Sequence, residues 1–165
     1  MHDASPRNDS LPAYVLALQA AYGPPSQEGF GSAVFFEEVD SGEDLQDLAR
    51  HYYQYFVGDL WERWGGETWL SPWKEVYRRE TSADHDIIRE LNAINDRDAA
   101  MFVPMILDAV DDAAAAREAL SQAFDPAAAE ELRIFRIGDG EAYSGLLLAG
   151  RRTNGAATFL LFLLD

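Results

Sequence analysis

Three runs of strand-forming residues close the sequence and constrain its fold more than any other feature. They read LRIFRIG, AYSGLLLAGRR and AATFLLFLL and occupy residues 132–138, 142–152 and 156–164. The segments GDGE and TNG separate them, and Asn154–Gly155 readily supplies the positive φ angles of a tight hairpin. The sequence therefore predicts a β-meander. Because the last run is apolar on both faces, we expect it to lie centrally in the sheet with helices packed on it.

A long helix is predicted in the first half of the chain. Its apolar residues recur at steps of three and four and form two neighbouring stripes. The first stripe consists of Leu45, Leu48, Ala49, Tyr52, Phe56 and Leu60, and the second of Tyr53, Val57, Trp61 and Trp64. Such a wide apolar arc predicts a helix that is covered on two sides. Ser41 and Asp44 have the spacing of an acidic capping box at its start, and Gly65–Gly66 marks its end.

Shorter elements are predicted around this helix. They are a helix over 11–22, a strand over 32–39, a short helix over 73–80, a helix capped by Asp84 that contains IIRELNAI, and a helix over 111–124. The run MFVPMILDAV allows two structures. Pro104 excludes a central strand that donates every N–H, which leaves an edge strand over 101–107, the alternative we favour, or a helix broken at the proline.

Together these elements predict an α+β fold, with helices packed on a mainly antiparallel sheet of four or five strands that ends in a C-terminal β-meander. The length of 165 residues fits one globular domain, over residues 10–165, preceded by a flexible tail over residues 1–9. The chain contains no cysteine, which excludes a disulfide framework, a thiolate zinc site and a cysteine nucleophile.

The charge balance is strongly acidic. The chain has 29 acidic and 13 basic residues, a net charge of −16, and Lys74 is its single lysine. A negative surface repels phosphate backbones and anionic lipid heads, so neither nucleic acid nor a membrane is an expected partner. No run is long and apolar enough to span a bilayer, and we expect a soluble, cytoplasmic protein. The acidity reflects either a genome-wide composition, which we favour, or steering of a basic protein partner.

No motif for a specific chemistry is present. A G-x-S-x-G nucleophile elbow is missing, and Gly138–Asp139–Gly140 joins two predicted strands, so it is a turn and not a phosphate-binding loop. His51 is a lone helical histidine, a position that is more often structural than catalytic. We therefore predict no catalytic residue and no cofactor. Whether the protein is an enzyme stays open, and the non-enzymatic alternative is favoured.

Two groups of residues superficially resemble metal sites. Asp84, His85 and Asp86 are consecutive at a helix start, so their side chains point about 100° apart, and a helix cap explains them better. Asp108, Asp111 and Asp112 share one helical face, for which a solvated helix start is the favoured explanation over a cation site. We predict no metal.

An aromatic segment over residues 51–73 holds all four tryptophans and is the main candidate for function. It forms either a satellite core, which we favour because aromatic clusters at helical spacing are usually core, or an exposed anchor patch, since tryptophan is enriched at interface hot spots. We expect Trp61 and Trp64 to be buried and at least one of Trp69 and Trp73 to be partly exposed. The candidate protein-binding residues are Glu62, Trp64, Glu67, Trp69, Trp73 and Glu75.

Two function classes follow from these observations. The favoured one is a non-enzymatic acidic protein-binding module, of the inhibitor or immunity type, that engages a basic protein partner. The alternative is a small-molecule-binding protein or enzyme with a pocket near residues 51–73, using His51, Glu62 or a tyrosine.

The C-terminal part also carries a family resemblance. A helix ending near Phe124, followed by IFRIGDG and LLLAGRRTNG, resembles the corresponding part of nuclease A inhibitor-like proteins over roughly a quarter of the chain. Two features of that family are missing, namely its threonine- and acid-rich ending and a serine–glutamate loop in the N-terminal half. The resemblance implies a small α/β protein that binds and blocks a basic enzyme.

Overall fold

The computed structural model describes residues 11–38, 42–80 and 83–164. The predicted tail over 1–9 and Ser41 lie outside the described residues. The helices are α1 (Ala13–Tyr22), α2 (Leu45–Val57), α3 (Asp59–Trp64), α4 (Gly66–Leu70), α5 (Ile87–Asn92), α6 (Arg97–Ala100), α7 (Val103–Leu107) and α8 (Ala113–Phe124). The strands are β1 (Gly31–Glu37), β2 (Lys74–Arg78), β3 (Glu131–Gly138), β4 (Ser144–Arg151) and β5 (Ala157–Leu164).

The strands form one antiparallel sheet in the order β1-β5-β4-β3-β2. Strands β3, β4 and β5 are the predicted meander, and the turn at Asn154–Gly155, with φ of 92° at the glycine, joins the last two. Strand β5 lies between β1 and β4, so its predicted place inside the sheet is confirmed. Both faces of β5 need cover, and this explains why the run is apolar at almost every position.

Helices cover the sheet on both faces. Helices α1, α5, α6, α7 and α8 pack on the face that carries Leu146 and Leu148. Helices α2, α3 and α4 pack on the opposite face, which carries Leu147 and Phe159. Alternate residues of one strand therefore enter two separate cores, as the period of two along a strand requires. The predicted α+β fold is confirmed. Among the described residues, no helix is long and apolar enough to cross a membrane.

The predicted long helix is interrupted at Gly58. This residue has φ of 69° and ψ of −136°, a conformation that only glycine adopts readily. Its N–H still donates to the carbonyl of Gln54 and closes α2, after which the chain turns into α3. The start also differs from the prediction, because Asp44 itself is the N-cap and accepts a hydrogen bond from the N–H of Gln46.

The helix predicted over 73–80 is wrong, because residues 74–78 form the edge strand β2. This strand pairs with β3 and has a bulge between Glu75 and Tyr77. Valine and tyrosine favour strands, and the open edge of β3 supplies hydrogen bonds that outweigh the helical pattern of the segment. The burial of this strand is incomplete, and its bulge and its terminal bases are typical of a protected sheet edge.

Two further local predictions are corrected. The edge strand favoured over 101–107 is wrong and the helical alternative is correct, because Pro104 lies in the first turn of α7, where its missing N–H costs nothing. The cap of α5 is Asp86, whose carboxylate accepts from the N–H of Arg89, and not Asp84. The helix predicted over 111–124 is α8, with Asp112 as its N-cap.

Candidate protein-binding surface

A surface around Trp64 is formed by α3, α4 and the turn between β3 and β4. Trp64 ends α3 and its side chain is 41% exposed. Gly65, with φ of 91°, then turns the chain into α4, so that Trp69 comes back against Trp64. The two indoles stack with planes 2° apart and centroids 5.4 Å apart. Tyr143, from the β3–β4 turn, contacts both rings at 5.9 and 5.7 Å.

Trp69 is a rigid support for the exposed indole. It is completely buried, and its Nε1–H donates to the carbonyl of Leu60 at 2.9 Å. The hydroxyl of Tyr53, also buried, donates to the carbonyl of Trp69 at 2.7 Å and accepts from the N–H of Gly138 at 2.9 Å. Burial raises the pKa of Tyr53, so this hydroxyl keeps its proton. Hydrogen bonds from α2, α3 and the sheet therefore fix the position of Trp69 beneath Trp64.

The other two tryptophans are half-buried and pack against the core on this face of the sheet, so the expected burial of Trp61 is met only in part. Trp61 packs its ring edge-on against Tyr53 at 5.2 Å. Trp73 stacks on Phe135 at 4.6 Å and keeps partial exposure. The expected partial exposure of Trp69 or Trp73 is thus confirmed for Trp73. The expected burial of Trp64 is wrong, because the break at Gly58 leaves α3 at the rim of the core, where Trp69 covers only one face of the ring.

Exposed acidic side chains occur on every element of this surface. Glu62 lies on α3 and Glu67 on α4, and Glu141 lies in the turn that carries Tyr143. Glu62 is two residues before Trp64, so it faces the other side of α3 and adds charge without touching the ring. The basic Arg63 on α3 is also exposed. The charge of the surface is therefore negative on balance.

The turn that brings Tyr143 to this surface is fixed by its own hydrogen bonds. The carboxylate of Asp139 accepts from the N–H groups of Glu141 and Tyr143, at 2.8 Å each. The sequence predicted that Gly138–Asp139–Gly140 is a turn, and the β3–β4 pairing confirms it. The sequence did not predict that this turn lies against the helices. The contact of Tyr53 with Gly138, for example, joins residues that are 85 positions apart, and no local pattern indicates it.

Glu75 belongs to a different cluster. Its carboxylate accepts from Arg133 at 2.6 Å and from Arg78 at 3.1 Å. Burial alone would raise the pKa of Glu75, but the hydrogen bonds from the two arginines outweigh it and lower the pKa. The charge of Glu75 is thus balanced within the chain. The structure brings together Trp64, Trp69 and the acids of α3 and α4, and it leaves Glu75 in an ion-pair network on β2.

Most of the basic side chains that the structure describes are likewise engaged within the chain. Side-chain salt bridges involve Lys74, Arg78, Arg79, Arg89, Arg117, Arg133 and Arg136. Arg152 donates to backbone carbonyls of α8 and lies over the ring of Tyr14. Because the bases are used internally and the acids outnumber them, the field outside the molecule is negative.

Three surface cavities lie away from the aromatic segment. The largest, of about 750 Å³, is lined by residues of β2, the segment before α5 and the segment before β3, among them Arg79, His85 and Asp125. The others, of about 610 and 280 Å³, border α1. None of these three is lined by residues 51–73, where the alternative function places a ligand pocket. Across residues 11–38, 42–80 and 83–164, no group of three or more histidine or acidic side chains is arranged to hold a metal ion.

The residues that resembled metal ligands have other partners. The Nδ1 atom of His85 lies 3.0 Å from the carbonyl of Pro126, while Asp86 caps α5. Asp112 caps α8, and Asp108 pairs with Arg117 at 2.5 Å. The caps formed by Asp86 and Asp112 are the structural role that the sequence favoured. The contact of His85 with Pro126 was not predicted, and Asp108 differs from the prediction, because it ends α7 and pairs with Arg117.

Comparison with family models, with curated proteins and with solved structures finds no significant match for this chain.

Proposed function

We propose that this chain is a non-enzymatic protein-binding module that engages a basic protein partner through the surface around Trp64. The observation that carries the proposal is the exposed Trp64 indole, stacked on a completely buried Trp69. A large aromatic ring held in place before binding loses little conformational entropy on association, and such rings are the usual hot spots of protein interfaces.

The partner's charge follows from the surroundings of the indole. Exposed carboxylates on α3, α4 and the β3–β4 turn give the surface a negative field, and the net charge of −16 extends that field over the molecule. Complementary charge accelerates the encounter of two proteins and suppresses wrong partners. A partner with a basic face is favoured over an acidic or neutral one, and nucleic acid and anionic membranes are repelled.

The finer proposal is an inhibitor- or immunity-type role, in which this chain blocks a basic enzyme. It is supported by the C-terminal resemblance to nuclease A inhibitor-like proteins, over the segments IFRIGDG and LLLAGRRTNG. The rigid, preformed surface fits such a role, because inhibitors that bind tightly change shape little on binding. The lack of cysteine suits a reducing compartment, and we place the protein in the cytoplasm.

The proposal is tested by quantitative affinity capture from cells of the source organism, at low and at high salt. Wild-type protein is compared with Trp64→Ala and with Met101→Ala, which removes another exposed apolar side chain, 57% exposed and outside this surface. We expect that the wild type and Met101→Ala capture the same basic protein and that Trp64→Ala does not. Its recovery should fall as salt screens the charges, since the Debye length shrinks from about 10 Å at 0.1 M to about 3 Å at 1 M.

Capture that is equal for the wild type and Trp64→Ala would reject the Trp64 surface as the binding site. Capture of a partner that is acidic, or whose recovery is insensitive to salt, would reject the charge argument. Inhibition of an enzymatic activity of the captured protein, measured with the purified pair, distinguishes an inhibitor from a simple binding module.

A further inference from the structure

The Trp64 indole can be compared with the aromatic rings of this chain on which an arginine stacks. Trp69 stacks on one face of the ring and Tyr143 contacts it at 5.9 Å, and Trp64 still keeps 41% exposure. Elsewhere in the chain, arginine guanidinium groups lie over aromatic rings in three places: Arg50 over Trp73 at 5.3 Å, Arg133 over Phe135 at 5.3 Å and Arg152 over Tyr14 at 3.7 Å. No side chain in the described part of the chain supplies such a cation to Trp64.

The elements that contact the Trp64 ring also carry carboxylates. The two elements that touch the ring each carry an exposed acid, Glu67 on α4 and Glu141 in the β3–β4 turn. A guanidinium group is planar, so it stacks on an aromatic face while its N–H groups point outward in the ring plane toward carboxylates. A lysine ammonium group is more strongly hydrated and offers a point charge without a plane to stack. Both features of the surface therefore favour arginine.

We infer that the surface around Trp64 receives an arginine side chain of the protein partner, which stacks on the outer indole face and pairs with the carboxylates of Glu67 and Glu141. This inference rests on the proposed function and names the chemical group that the partner presents. The same stacking contact that the chain makes internally with its own arginines is thus completed at Trp64 by a second protein.

Fluorine NMR of the protein labelled with fluorotryptophan tests the inference. The chain has four tryptophans, and Trp64→Phe identifies the Trp64 resonance by its disappearance. The labelled protein is titrated with hexa-arginine and with hexalysine, two peptides of equal charge, at the same ionic strength. We expect the Trp64 resonance to shift with both peptides, and hexa-arginine to reach half-saturation at a concentration about threefold or more below that of hexalysine.

Variants of the acids provide a second measurement and its control. The double variant Glu67→Gln/Glu141→Gln should reduce the preference of the Trp64 resonance for hexa-arginine. Glu28→Gln/Glu80→Gln removes the same charge at exposed positions on other segments and should leave the preference unchanged. A thermal melt of each variant verifies that the fold is retained.

Equal half-saturation by the two peptides, or hexa-arginine binding that shifts other tryptophan resonances and not that of Trp64, would overturn the inference. Its failure is distinguishable from failure of the proposed function. A partner captured through Trp64 without an arginine preference rejects the arginine contact alone, whereas capture that does not depend on Trp64 rejects the proposed function itself.

Discussion

Phe56 lies in the last turn of α2, on the buried stripe by which the helix packs on the sheet. It is completely buried together with Leu45, Tyr53 and Phe159. Replacement by alanine removes a large apolar side chain and leaves a cavity, so Phe56→Ala should lower the free energy of unfolding by about 3–5 kcal/mol. Chemical denaturation measures this change. The neighbouring Gln54→Ala, at an exposed position, is the matched control, and a loss below about 1 kcal/mol for Phe56→Ala would mean that another face of α2 is buried.

Glu90 is a buried acidic residue of α5, on the face of the sheet opposite to α2. Its carboxylate accepts from Arg79 at 2.5 and 2.8 Å and from the Tyr77 hydroxyl at 2.7 Å, and the Arg79 and Glu90 side chains are 0% and 2% exposed. Arg79 also donates to the carbonyls of Phe124 and Ala129 and so ties β2 to the end of α8. The ionised pair therefore connects an edge strand to the helical layer.

The pH dependence of stability tests this pair. Burial alone would raise the pKa of Glu90, but the hydrogen bonds from Arg79 and Tyr77 outweigh it and lower the pKa. A carboxyl whose pKa is lower in the folded than in the unfolded chain stabilises the fold above its unfolded pKa of about 4.3, and this stabilisation is lost as pH falls further. Glu90→Gln should cost about 3 kcal/mol or more at pH 7, because Arg79 stays buried without a counter-charge.

Denaturant melts between pH 3 and pH 7 compare wild type with Glu90→Gln. The variant should show a weaker loss of stability in acid than the wild type. Burial raises the pKa of Asp125, which acts in the opposite direction, but this effect is common to both proteins. Glu28→Gln, at an exposed position, serves as the control. Parallel pH profiles for wild type and Glu90→Gln would show that folding leaves the pKa of Glu90 unchanged, and they would contradict the lowered pKa.

At the residue level, periodicity identified the buried face of α2 but not the exposure of Trp64. The spacing of Leu45, Leu48 and Phe56 depends only on helix geometry, which the sequence contains directly. The exposure of Trp64 depends on how Trp69 and Tyr143 meet it, and those contacts follow from the turn at Gly65 and from a distant hairpin. The aromatic and acidic residues of the site could therefore be named from the sequence. Their relative positions could not, because they depend on tertiary contacts.

Strand β5 is the element on which the sheet depends most. It pairs with β1 along one edge and with β4 along the other, and it places Phe159 and Leu161 in one core and Leu160 in the other. A chain that stops after Thr158 loses most of both pairings and part of each core. We expect this truncation to abolish folding, as measured by circular dichroism and size-exclusion chromatography. A truncated protein that stays monomeric and melts cooperatively would show that the sheet closes without β5.

The elements that the sequence predicted correctly carry strong local signals. The β3–β4–β5 meander has turn residues between apolar runs, and α8 has an acidic cap before its alanine-rich run. The elements that were predicted wrongly lack such signals. Strand β2 has a helical pattern and exists because β3 offers an edge. The break between α2 and α3 occurs at Gly58, where the carbonyl of Gln27 lies 3.2 Å from the place that a Cβ would occupy.

At the scale of the molecule, one sheet separates two cores, and the exterior is acidic and carries the exposed, stacked indole of Trp64. The sheet is covered on both faces, so its apolar area is used for folding. Most of the described bases are used in internal contacts, so the exposed charge is mainly negative. Exposed acids lie on the elements around Trp64, and this position supports the interpretation that the acidity steers a basic partner.

The free energy of binding of the captured partner to Trp64→Ala, measured beside the free energy of unfolding of the same variant, tests the proposed function most directly. We expect binding to weaken by about 2 kcal/mol or more, roughly 30-fold in Kd, because the variant removes the central anchor. The free energy of unfolding should fall by less than about 1.5 kcal/mol, the range of a single aromatic pair. Trp69→Ala, at the buried position beneath, should instead cost about 3–5 kcal/mol of stability. Unchanged binding with a large loss of stability for Trp64→Ala would place the whole aromatic cluster in the core and contradict the proposed function.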